Sequence, residues 1–193
     1  LGTNALGAST TGSRNVAIGH TALGAGVLTG GCNIAIGLQT MDALTSGINN
    51  VAIGRDALGA STTGCRNIAI GHTALGAGVT TGLNNIALGT TSMDAATSAA
   101  CNIAIGKDSL GASTTGYINT AIGWGAMCGA DTTGHHNIAI GRDTLSLMTT
   151  GERNIAIGQD ALNDSTTGCL NIAIGCSAMA GADTTGINNI AIG

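Results

Sequence analysis

Residues 50–66 read NVAIGRDALGASTTGCR, and the same phrase returns along the whole chain. Its opening, Asn-x-Ala-Ile/Leu-Gly, occurs eleven times, at Asn15, Asn33, Asn50, Asn67, Asn85, Asn102, Asn119, Asn137, Asn154, Asn171 and Asn189. The spacings run 18, 17, 17 and then repeat, so a period of 52 residues lies over the short one. The extra residue falls near Gly26 and Gly78, where a corner absorbs an insertion most easily. Within the unit, Val51 and Ile53 alternate around Ala52, which is strand periodicity. Gly54 ends the strand, Ala57-Leu58 forms a second short apolar stretch, and Thr62-Thr63-Gly64 is turn chemistry, with glycine free to take positive φ. A unit of this length carrying one short strand is one coil of a parallel β-solenoid. At about 4.8 Å per coil, eleven coils make a rod roughly 53 Å long. The expected fold is therefore all-β, a parallel β-solenoid of 17–18-residue coils, with residues 1–193 as a single repetitive segment of a longer fibre chain.

Composition agrees with such a rod. There is no Pro or Phe, one Trp and one Tyr, so the core must come from aliphatic side chains. Glycine is abundant at 33 residues, but without a Gly-X-Y triplet, and the apolar share is too high for disorder. With 6 basic and 10 acidic residues, the chain has no electrostatic footprint for nucleic acid or an anionic membrane surface. No apolar run approaches the roughly 18 residues of a membrane helix.

Stacking turns each repeat position into a column. The β-branched positions flanking Ala are Ile, Val or Leu in nearly every coil, Thr120 being the exception, and are expected to face the interior. A Leu/Met column (Leu6, Leu23, Met41, Leu58 and their successors) fills the remaining interior. The motif asparagines are expected to form a ladder of stacked carboxamides that satisfies corner backbone groups. If Ile points inward, Ala points outward. Ala17, Ala35, Ala52, Ala69, Ala87, Ala104, Ala121, Ala139, Ala156, Ala173 and Ala191 admit no substitution, whereas a solvated column should drift. These eleven residues are accordingly the candidate interface of a homo-oligomer around a rotation axis; tight packing within one chain is the alternative cause of the same invariance.

N-x-A-I-G followed by x-x-A-L and T-T-G resembles the head repeats of YadA-like trimeric autotransporter adhesins, and still more the 17-residue repeats of bacteriophage tail-fibre proteins. The resemblance spans the whole chain, although the adhesin heads use a shorter repeat of about 14 residues. It implies a parallel homotrimer on a virion tail fibre or at the cell surface, serving as shaft or receptor-binding region.

Candidate chemistry is sparse. The cysteines at 32, 65, 101, 128, 169 and 176 include no CxxC pair. Cys32, Cys65 and Cys101 sit two coils apart, about 9.6 Å, too far for a disulfide. Free thiols suit a reducing compartment. His20 and His72 are three coils apart, about 14 Å, so they share no metal; His135 and His136 are neighbours expected to point to opposite faces. The acids follow the repeat, Asp42 matching Asp94, Asp56 matching Asp108 and Asp160, and Asp131 matching Asp183; Glu152 and Asp164 stand outside it, with no evident acid partner for either. Catalytic carboxylates are needed once and should break the period, so no enzyme activity, catalytic residue, cofactor or metal is expected. The free corner positions are better candidates. Tyr117, Trp124, His135 and His136 are the expected contacts to a host-surface receptor, glycan or protein. A second reading is an ice-binding solenoid, resting on the Thr-Thr column at Thr10-Thr11, Thr62-Thr63, Thr114-Thr115, Thr132-Thr133 and Thr166-Thr167.

Overall fold

The computed structural model describes residues 1–24, 27–78, 80–181 and 185–193. The insertion point at Gly26 and the acid at Asp183 lie outside them. Eleven three-residue strands follow one another: β1 (Val16–Ile18), β2 (Ile34–Ile36), β3 (Val51–Ile53), β4 (Ile68–Ile70), β5 (Ile86–Leu88), β6 (Ile103–Ile105), β7 (Thr120–Ile122), β8 (Ile138–Ile140), β9 (Ile155–Ile157), β10 (Ile172–Ile174) and β11 (Ile190–Ile192). They form one sheet in chain order, every neighbouring pair parallel and in register, Ala on Ala. The fold is a parallel β-solenoid, with one strand and one set of corners per coil.

The strand parity is the reverse of the sequence expectation. Ala35, Ala52, Ala69, Ala87, Ala104, Ala121, Ala139, Ala156 and Ala173 are fully buried inside the coil, and Ala17 is nearly so. The flanking Ile and Val side chains point outward; Val16, Ile34, Ile68 and Ile138 are among those more than a third exposed. The candidate interface built on the Ala column is thereby corrected, because these methyl groups pack within one chain and present nothing to another. The reason is volume. The Leu/Met column reaches across a thin coil, with Leu58, Leu75, Met93 and Leu110 fully buried, and leaves room opposite only for a methyl group. Invariance reflects lack of space inside, not a neighbour outside.

The corners are made from left-handed backbone. In each coil the residue two before the Leu/Met, the Leu/Met itself and the residue before Asn have positive φ, as in Asp108 (57°), Leu110 (49°) and Ile118 (54°). Positive φ is costly for a side-chain-bearing residue, and most so for a β-branched one. The column holds Leu or Met in every coil, while the neighbouring left-handed positions also admit β-branched Thr91 and Ile118. Burial of the column, worth about 1.5–3 kcal/mol per side chain, offsets a strain of about 1–3 kcal/mol. The motif glycine goes further: Gly106 has φ +129°, and a Cβ there would collide with the Gly123 carbonyl oxygen of the next coil.

The asparagine ladder closes the corner. At each of the ten steps from Asn15 to Asn189, the backbone N–H of one Asn donates to the Oδ1 of the Asn one coil earlier. The Nδ2 group also donates across its own coil, Asn50 to the Gly64 carbonyl at 2.7 Å and Asn102 to that of Gly116 at 2.8 Å. Ser and Thr continue the pattern inside: the Ser61 hydroxyl donates to the Thr80 carbonyl, and the Thr80 hydroxyl to that of Ala96. Ser113 and Thr132 repeat this pair one 52-residue period later, donating to the Thr132 and Met148 carbonyls. The long period is thus written partly in buried hydroxyls.

Candidate functional site

The two edges of the outward sheet face are set by the residues before and after each strand. At the edge preceding β7 and β8, successive coils place Tyr117 directly beneath His135, joined by an isolated parallel bridge. Their ring centroids lie 4.4 Å apart, and the His136 ring is 5.8 Å from Tyr117 and 5.0 Å from His135. The two histidines do not point to opposite faces as an extended strand would require, because His136 takes a left-handed φ of 61°. Glu152, one coil on, has its Oε1 3.2 Å from His135 Nδ1 and its Oε2 3.5 Å from Arg153 Nη1. Three of the four expected contact residues are thus one cluster.

Trp124 lies apart from it, after β7 at the other edge. It is about half exposed, with Lys107 on the preceding coil 5.9 Å and Arg142 on the following coil 6.0 Å from its ring centre. Each cation also faces the acid next to it, Lys107 with Asp108 at 3.3 Å and Arg142 with Asp143 at 3.3 Å. Sequence reasoning treated Trp124 without these cations. The signal was present, since Lys107, Trp124 and Arg142 hold the same repeat position on consecutive coils. Coil seven therefore carries both aromatic residues, one at each edge, and between them Thr120, the single polar residue in the outward columns.

Beside the Trp124 edge is an open depression of about 560 Å³ lined by Thr91, Asp94, Asp108 and Cys128, among others. The Thr91 hydroxyl donates to Asp108. That bond, above all, holds the Asp108 carboxyl below its ordinary pKa; the nearby Lys107 adds to the effect, while partial burial works against it. Burial pushes the Cys128 thiol up, and the charges of Asp143 and Asp108 push it further. The thiol thus stays protonated near neutral pH and is a poor nucleophile there. All six cysteines are free.

The second threonine of each pair, Thr11, Thr63, Thr115, Thr133 and Thr167, is exposed, while the first is half-buried at Thr62, Thr114 and Thr166. Thr132 is fully buried whereas Thr133 is exposed. Of the pair hydroxyls, that of Thr10 donates to the Leu28 carbonyl, that of Thr132 to the Met148 carbonyl and that of Thr114 to Asp131.

Comparison with family models, with curated proteins and with solved structures finds no match for this chain.

Proposed function

We propose that this chain is a structural fibre segment, a stiff rod that assembles as a parallel homotrimer in a virion tail fibre or a surface adhesin and displays its corner residues to a host receptor. The observation that carries this reading is the unbroken one-dimensional stack. Eleven coils share one register and one asparagine ladder, so the chain invests its sequence in length and rigidity. The resemblance to tail-fibre and adhesin repeats supports the setting. The break in periodicity at coil seven supports Tyr117, Trp124, His135 and His136 as the contact surface, since aromatic faces flanked by donors suit the apolar faces and hydroxyls of a sugar. The ice-binding reading is supported less, since the Thr10 and Thr132 hydroxyls donate to backbone and that of Thr114 to Asp131, which leaves one exposed column at Thr11, Thr63, Thr115, Thr133 and Thr167.

Two measurements test this. Small-angle scattering should give a rod with a long axis near 53 Å for the eleven coils. Binding to immobilised host-surface glycans and to whole host cells should be detectable and should fall at least tenfold in a Tyr117→Ala/Trp124→Ala variant of unchanged circular dichroism. Thermal hysteresis in place of any cell binding would overturn the proposal in favour of ice.

A further inference from the structure

The outward sheet face is the largest feature not used by the fold itself. It consists of two columns, the residues before and after each buried Ala, giving 22 positions of which 21 are Ile, Val or Leu and one is Thr120. None carries a charge, although the chain has 16 charged side chains for its corners. From Val16 to Ile192 the strands stack over about 48 Å, and three residues span about 10 Å, a projected area of about 480 Å². Exposed Ile48, Leu83, Leu170 and Ile187 continue the apolar surface along the edge that holds Tyr117. A charge-free patch of this size matches the largest that a monomeric protein leaves bare, and such patches often mark an interaction site.

We infer that this isoleucine face is where copies of this chain meet. Its shape selects the partner. The ridges repeat every coil, about 4.8 Å, and are commensurate over their whole length only with another stack of the same pitch. A second copy offers that pitch without a matching partner sequence having to exist. The area also suffices: two faces meeting remove about 1,000 Å² from water, the size at which specific association begins, and three around an axis remove about 1,400 Å². In such an assembly the bare β-branched columns become a shared core, which accounts for their uniformity along the rod. The contact is thereby assigned to the columns flanking Ala instead of to Ala. The inference rests on the fibre reading only for the number of copies.

The test is the mass of the full chain in solution by light scattering coupled to size exclusion, for the wild type and two variants. In one, Ile68, Ile103 and Ile138 become Lys; in the other the same three become Thr, which keeps β-branching and so preserves the strand. The expected wild type is a multiple of 18.6 kDa. The Thr variant should dissociate at a protein concentration at least tenfold higher than the wild type, with the same circular dichroism, and the Lys variant, if folded, should run as a monomer. A wild-type oligomer whose dissociation is unchanged in the Thr variant would place the contact elsewhere, overturning this inference while leaving the trimeric fibre intact. A wild type that stays monomeric at every concentration would overturn both.

Discussion

Replacing Asn102 by Ala removes one rung from the middle of the ladder, and its cost can be worked from the bonds. The Asn102 carboxamide donates to Asn85 Oδ1 at 3.2 Å and to the Gly116 carbonyl at 2.8 Å, and its Oδ1 accepts from the Asn119 N–H at 2.8 Å. Asn85 Oδ1 keeps the Asn102 backbone N–H at 3.1 Å, so it is not orphaned. The Asn119 N–H and the Gly116 carbonyl lose their side-chain partner in a buried corner. At about 1–3 kcal/mol for each unsatisfied buried group, the expected loss is about 2–6 kcal/mol. That is a large share of the roughly 5–15 kcal/mol that holds a domain together. Urea unfolding followed by far-ultraviolet circular dichroism measures it, and amide exchange at Asn119 should quicken selectively. Asn189→Ala is the control: it stands at the last rung and is exposed, its Nδ2 donates to Asn171 Oδ1, which keeps the Asn189 N–H, and the substitution should cost about 1 kcal/mol or less. If the two substitutions cost the same, or Asn102→Ala costs less than about 1 kcal/mol, the ladder is not a source of stability.

Gly106→Ala should destabilise by about 2 kcal/mol or more in the same assay, because it combines forbidden backbone with a collision against Gly123. Ala104→Leu overfills the coil and should cost about 1–3 kcal/mol in the same assay. For Asp108 the folded pKa is lowered, so its contribution to stability is present above its unfolded pKa and is lost as pH falls through the folded value. Thr91→Val removes the main cause and should move the Asp108 titration upward, read by carboxyl-carbon NMR; an unmoved titration would refute the assignment. Among the six cysteines, Cys128 should alkylate most slowly with iodoacetamide at pH 8, since its thiol is partly buried and faces Asp143 and Asp108; peptide mapping after brief labelling checks it.

The clustering of candidate contact residues was only partly legible. The 17–18-residue spacing places Tyr117 against His135 and Trp124 between Lys107 and Arg142, because parallel in-register stacking brings equal repeat positions into contact. What that spacing does not convey is the backbone between them. The left-handed residue at His136 turns its ring toward Tyr117 when alternation would have turned it away, and nothing in the identity of a histidine announces a positive φ.

Sequence by itself determined the coil length, the parallel stacking, the existence of the ladder and the columns that run along the rod. Each of these follows from periodicity, which survives any choice of orientation. Which side of the strand faces inward was decided only in three dimensions. Ile-Ala-Ile reads equally well both ways, since alternation specifies two faces and not which of them is the core. The choice falls to the volume left by Leu and Met on left-handed corners, and that volume is a property of the closed coil. It admits a methyl group at Ala104 and turns Ile103 and Ile105 outward.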